Sequence, residues 1–219
     1  MEQRKYAAFF DIDETIIRIN SSRSLVKRAH RTGMMGNRDL VRAIYQVFLY
    51  KYNLKDTLKI IHKMGSWIAG VKVDHMKAIV AKIFETDILP AIRPAVVDEI
   101  ERHRSQGAEL IILSSAISII CQLLSDHLRF DRVICTVMEE SGGYFTGRPV
   151  GKFCFRDEKL VRLKAYCAEN GYSLSETFYY ADSIDDAPAF LQVGHPVCVS
   201  PDRKLSRLAA QKGWTVIDG

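Results

Sequence analysis

Lys5-Tyr6-Ala7-Ala8-Phe9-Phe10-Asp11-Ile12-Asp13-Glu14-Thr15 opens the chain with an apolar run that stops at a pair of carboxylates. Residues 5–10 read as a buried strand. Two later runs have the same form: residues 108–113, Ala-Glu-Leu-Ile-Ile-Leu, stop at Ser114, and residues 177–181, Thr-Phe-Tyr-Tyr-Ala, stop at Asp182. Runs that barely alternate are what parallel strands covered on both faces require. Further strands are expected near 132–136, 196–199 and 214–217. Helices fall between them. One opens at Pro94, carries Val96, Val97, Ile100 and His103 on a face and closes at Gly107; another runs from about Asp157 to Asn170 and stops at Gly171. The alternation predicts an α/β fold with a doubly wound, mainly parallel sheet.

Residues 17–92 break the rhythm. Three helical stripes run through them: Leu40, Ile44, Val47 and Phe48; Leu58, Ile61, Met64 and Ile68; and Met76, Ile79, Val80, Ile83 and Phe84. The expected organisation is a core domain of residues 1–16 and 93–219, with residues 17–92 inserted as a helical unit. The stripes read as packing surfaces, as do Tyr45, Phe48, Tyr50 and Tyr52. A short hairpin is expected at 136–149, turning at Ser141-Gly142-Gly143.

At 219 residues, with 47% hydrophobic and 26% charged residues, the chain can bury its core without disulfides or a structural metal. The five cysteines are odd in number and follow no zinc-knuckle or CxxC spacing, so they read as buried thiols in a reducing cytoplasm. The run before Asp11 is too short for a signal peptide, and no apolar stretch reaches the roughly 18 residues of a membrane span. The net charge of +5 divides into +9 over residues 18–90 and −4 over the rest. Solvated helix faces account for most of these charges; the functional reading is a basic lobe facing an acidic one, which attracts anionic substrates. No tight basic run points to nucleic acid or to a membrane surface, and the sequence sets no oligomeric state. The six histidines are scattered without metal-ligand spacing and read as structural or surface residues, His62 being placed nearest the cleft.

The chemistry gathers at the strand ends. Ligands of open α/β sheets bind outside the carboxyl ends of the strands. Asp11 and Asp13 follow one strand, Ser114 and Ser115 another, and Asp182-Ser183-Ile184-Asp185-Asp186 a third; Lys159 lies near the start of the 157–170 helix. Singly, these are a turn, a helix cap and a solvated lysine. Together, Asp11, Asp13, Asp182 and Asp186 bring four carboxylates to one edge. A like-charged pair at 4 Å costs about 4 kcal/mol at an effective dielectric near 20. One lysine does not offset that; a hard divalent cation does. An all-oxygen donor set suits Mg²⁺, which keeps waters and accepts phosphate oxygens.

These motifs resemble the haloacid dehalogenase-like (HAD) superfamily, subfamily IB, which includes phosphoserine-phosphatase-like enzymes. The resemblance rests on Asp11-Asp13-Thr15 as DxDxT, Leu110-Ile111-Ile112-Leu113-Ser114 as the second motif, Lys159 as the third, and Asp182, Ser183 and Asp186 as DSxxD. It covers nearly the whole chain and implies a Rossmann-like core with a helical cap over residues 17–92. It also implies a Mg²⁺-dependent phosphomonoester hydrolase acting on a small phosphorylated metabolite through an aspartyl-phosphate. Asp11 is then the nucleophile and Asp13 the acid and base. Asp11, Asp13 (through its carbonyl) and Asp182 hold the metal. Ser114, the Ser115 N–H and Lys159 hold the phosphoryl group, aided by a helix opening after Ser115. Thr15, Ser183 and Asp186 support them. Two departures bear on substrate: Asn20 stands where phosphoserine phosphatases carry a glutamate that reads the substrate amino group, and Ser114-Ser115-Ala116 replaces their Ser-Gly-Gly.

Of three other activities, two fit less of the pattern and one fits it equally. A dehalogenase needs neither metal nor Asp13. A phosphotransferase keeps every catalytic group and differs in acceptor. A phospho-aspartate signalling module is about half this length and has no cap.

Overall fold

The computed structural model describes residues 5–51 and 65–218. Within them, six strands form one parallel sheet in the order β3-β2-β1-β6-β7-β8: β1 is Ala7–Phe10, β2 Glu109–Ile117, β3 Arg132–Thr136, β6 Phe178–Ala181, β7 His195–Val199 and β8 Thr215–Ile217. The order reverses between β1 and β6, so the crevice of a doubly wound sheet opens where these two strands end. Phe10 lies opposite Ile112 on β2 and Tyr180 on β6, which sets Asp11 at that crevice.

The helices are α1 Ser21–Arg31, α2 Asn37–Lys51, α3 Val73–Ile83, α4 Pro94–Ser105, α5 Ser118–Leu128, α6 Asp157–Asn170, α7 Ala187–Phe190 and α8 Arg203–Lys212. They bury both faces of the sheet, which is why the strand sequences do not alternate. On one face Ala8, Phe10, Leu110, Ile112 and Tyr180 pack with Val96, Ile100, Ile120 and Leu124. On the other, Ala7, Phe9, Ile111, Leu113 and Tyr179 pack with Leu163, Cys167, Phe190, Leu205 and Ala209. All five cysteines are buried free thiols. His103 is fully buried under the first face: Tyr180 donates to Glu99 at 2.6 Å and lies 2.8 Å from His103 Nε2, with Tyr6 at 2.8 Å from Nδ1.

The described parts of the segment between β1 and α4 are mainly helical. Its α3 stripe of Met76, Ile79, Val80 and Ile83 is buried and continues the core of the first face. Two connections bring the chain into and out of this segment side by side: Arg18 N–H donates to Ala91 O at 2.8 Å and Arg93 N–H to Ile16 O at 2.9 Å. The hairpin of β4 (Met138–Ser141) and β5 (Tyr144–Pro149) reaches across to it. Gly70 and Val71 exchange backbone bonds with Phe145, and Val73 N–H donates to Gly143 O.

Some expectations are corrected here. Ile44 and Tyr45 on α2 are exposed, at 61% and 54%. Ile68 is buried in a short 3₁₀ turn, Ser66–Ile68, which Gly65 and Gly70 bracket. The side chains of Val47, Phe48 and Tyr50, and residues Tyr52, Leu58, Ile61, His62 and Met64, lie outside what is described.

Candidate active site

Asp11 follows β1, and its N–H donates to Tyr180 O at 2.9 Å, prolonging the ladder by one bond. Its side chain is nearly buried: Oδ1 accepts from Ile12 N–H at 2.7 Å and Oδ2 from Lys159 Nζ at 2.8 Å. The chain then turns sharply. Glu14 takes a left-handed conformation, φ 57°, and Thr15 N–H closes back on Ile12 O. That turn lets Thr15 donate from its hydroxyl to Asp182 Oδ1 at 3.3 Å, tying the first loop to the one after β6. Asp13 points the other way, accepting from Ser21 N–H at 2.8 Å at the start of α1. Asn20 caps the same helix, its side chain accepting from Arg23 N–H at 3.0 Å.

Lys159 sits in the first turn of α6 and is 2% exposed. Its ammonium bridges Asp11 Oδ2 and Asp186 Oδ1, each at 2.8 Å, and lies 3.4 Å from the Tyr179 hydroxyl. Burial opposes its charge, but Asp11 and then Asp186 outweigh burial and hold its pKa well above the usual lysine value. Three neighbouring carboxyls are raised as well, which for an acid favours the neutral form. Burial pushes Asp13 up to about 7, against the Ser21 hydrogen bonds. Burial, then Asp11 and Asp186, push Asp182 up to about 8. Burial pushes Asp186 up to about 6 against the pull of Lys159. Among the described residues Lys159 bonds two of the four carboxyls and the Arg93 charge reaches Asp182, so carboxyls outnumber cations and the site is short of positive charge.

That shortage, together with an all-oxygen donor set, fits a hard divalent cation. The carboxylates of Asp11 and Asp182 and the carbonyl of Asp13 could hold it. Among the described residues no three His, Cys, Asp or Glu side chains form a complete cage. A cation held by two carboxylates and one carbonyl, with waters and substrate oxygens filling its remaining positions, requires none.

The serines differ from expectation in detail. Ser114 is fully buried beside the crevice and accepts from Ala116 N–H at 3.3 Å, while Ser115 is exposed. Among the described residues no hydrogen bond joins either to the carboxylates. β2 runs on to Ile117, and α5 opens at Ser118, not after Ser115. No glycine or proline interrupts Ser-Ser-Ala-Ile, and the strand continues through a register shift beside β3. Ser183 bonds outward, to Asp202 Oδ2 at 3.4 Å.

Sequence reading missed three contributors. Tyr179 donates to Asp186 Oδ1 at 2.8 Å from within β6. Asp202 caps α8, accepts from Ile184 N–H at 2.8 Å and donates its own N–H to Asp182 O at 2.8 Å. Arg93 is buried behind the first loop and donates to Glu14 O at 3.4 Å. Ser200-Pro201-Asp202 before a helical stripe carried a readable cap signal; Tyr179 lies in a stretch that reads as strand core, and Arg93 just before the helix that opens at Pro94.

Comparison with known proteins bears on the same residues. The haloacid dehalogenase-like hydrolase model matches residues 8–191, from β1 through the Asp182–Asp186 loop. The inhibition of morphological differentiation protein of Streptomyces azureus is 31% identical over 97% of this chain and 78% of its own. The histidinol-phosphatase of Neisseria meningitidis is 25% identical over 98% of this chain and 99% of its own. A Bordetella pertussis protein of unknown function has the same fold, with a TM-score of 0.89 at 24% identity over 98% of this chain and 99% of its own. With a sheet edge that gathers Asp11, Lys159, Asp182 and Asp186 and a family match spanning all four, the chain belongs to the haloacid dehalogenase-like hydrolase family.

Proposed function

We propose that this hydrolase is a Mg²⁺-dependent phosphomonoesterase that transfers the phosphoryl group of a small metabolite to Asp11 and then to water. The observation that carries the reading is the buried Lys159 ammonium bridging Asp11 and Asp186 at 2.8 Å beside Asp182. The carboxyls of this crevice outnumber the cations beside them.

One Asp11 carboxylate oxygen attacks phosphorus in line and the alkoxide leaves. Asp13 gives its proton to the leaving oxygen, then takes one from the water that hydrolyses the aspartyl-phosphate. Lys159 holds phosphoryl charge, with Ser114 and the Ser115 N–H at the next strand end. Thr15, Ser183 and Asp186 keep these groups in place. The Asp11 and Asp182 carboxylates and the Asp13 carbonyl would hold Mg²⁺, which would supply positive charge for the phosphoryl oxygens.

Residues 17–92 serve as a cap on a core of 1–16 and 93–219. The paired connections at 16–18 and 91–93 support this division, and the +9 charge of residues 18–90 suits an anionic substrate. Asn20 is engaged in capping α1, so an amino-group reader of the phosphoserine kind is missing there. Histidinol phosphate, the substrate class in the name of the Neisseria relative, belongs on the panel to be screened.

Asp11→Asn should abolish Mg²⁺-dependent phosphate release from p-nitrophenyl phosphate and from any metabolite hit; retained turnover would remove the nucleophile assignment. Product analysis with an added alcohol acceptor separates hydrolysis from phosphotransfer.

A further inference from the structure

Arg156 carries a β-carbon in a conformation that glycine adopts easily and other residues rarely do, φ 48° and ψ −119°. The neighbouring chain has glycine at such places: Gly142, Gly143, Gly147 and Gly151 all have positive φ. At 156 an arginine takes the strain instead, and strain of this kind persists where surrounding contacts hold it.

Those contacts lead to the catalytic lysine. The Arg156 carbonyl accepts from Lys159 N–H at 3.0 Å, so its backbone sets the first turn of α6. Its guanidinium grips Asp185 Oδ1 from Nε at 2.8 Å and from a terminal nitrogen at 2.7 Å, and lies 5.3 Å from the centre of the Phe155 ring. Asp185 stands between Asp182 and Asp186. The Lys159 turn and the Asp182–Asp186 loop are thus joined twice, inside by Lys159–Asp186 and at the rim by Arg156–Asp185. The rim pair is part-exposed, 38% for the arginine and 19% for the aspartate. Ion pairs in that setting add little stability, so stability alone is a poor return for a strained backbone.

We infer that Arg156 is a positioning residue. Its clamp on Asp185 fixes the distance between the lysine-bearing turn and the metal-side loop, and so the placement of Lys159 against Asp11. This rests on the proposed role of Lys159 in holding the phosphoryl group.

Kinetics and melting of Arg156→Gly, Arg156→Lys, Asp185→Asn and the Gly/Asn double variant test it, with Lys159→Ala as control and p-nitrophenyl phosphate as substrate. Glycine relieves the strain but removes the clamp. Arg156→Gly should melt at or above the parent temperature, yet lose about ten-fold in kcat with little change in KM. Arg156→Lys should regain part of that loss. Asp185→Asn should lose a similar factor, and the double variant no more than either single. Parental kcat in Arg156→Gly, a kcat loss that lysine does not rescue, or a double variant whose losses multiply would overturn the inference. If Lys159→Ala keeps full turnover, the reading of the site itself falls; if only Arg156→Gly does, the clamp alone falls.

Discussion

Tyr179 shows how a single hydroxyl can matter in a site built from charges. It is fully buried in β6, beside Phe190, and its ring alone would be core packing. Its hydroxyl donates to Asp186 Oδ1, the oxygen that Lys159 also takes. Burial, then the Asp186 carboxylate, push the phenol well above its usual value, so it stays a donor. Tyr179→Phe leaves the packing and removes that bond. The expected result is a loss of about 2 kcal/mol in stability and of about ten-fold in kcat, with KM for p-nitrophenyl phosphate little changed. Equal kcat in the two proteins would confine Tyr179 to the core. Nothing in Phe178-Tyr179-Tyr180-Ala181 announced this role, because either tyrosine suits a buried strand. Neighbours on a strand point to opposite faces; the structure shows what each meets, Tyr179 the Lys159 ammonium and Tyr180 the His103 ring.

At the scale of elements, α1 joins the helical segment to Asp13, the proposed acid–base carboxyl. Ser21 N–H, in its first turn, donates to Asp13, and Asn20 caps the same end. The exposed N-terminal N–H groups of a helix need such acceptors. Asn20→Ala should cost about 1 kcal/mol of stability and lower kcat by loosening Ser21 against Asp13. Asn20→Asp keeps a capping oxygen and should retain both. A large KM change in Asn20→Asp with stability intact would instead make Asn20 a substrate reader. Strand ends were the most legible elements, since Asp11 and Asp182 each interrupt an apolar run. The start of α5 was less so: Ser114-Ser115-Ala116-Ile117 holds no breaker, and pairing with β3 decides where the strand stops. The strain at Arg156 was invisible, because a positive φ outside glycine leaves no mark in composition. Ile44 and Tyr45 on α2 were misread because an apolar stripe does not say which of its residues find a partner.

At the scale of the whole molecule, the unbalanced charge of the crevice links stability to pH and to the proposed cation. Asp13, Asp182 and Asp186 are raised from 3.8 to about 7, 8 and 6. Between roughly pH 4 and pH 8 the cation-free native state therefore holds more protons than the unfolded chain. By linkage, these groups cost nothing at the acid end and destabilise the fold as pH rises through their native values. His103 has the opposite sign. Burial lowers it to about 4, so its contribution is complete above the ordinary value of 6.5 and is lost as pH falls toward 4. The two trends blur a simple pH–stability curve, but a cation separates them. Mg²⁺ binds ionised carboxylates and must displace protons from protonated ones, and it leaves His103 untouched. The melting shift on adding Mg²⁺ to EDTA-treated protein should thus be large near pH 8 and small near pH 5. At a hundred-fold excess over Kd the gain is about 2.7 kcal/mol, which for a chain of this length is roughly 5–10 °C. Asp182→Asn should shrink the shift near pH 8, because it removes a proposed ligand along with one of the raised carboxyls. An equal shift at both pH values would mean that these carboxyls are ionised throughout, and that the crevice finds its balancing charge without a divalent cation.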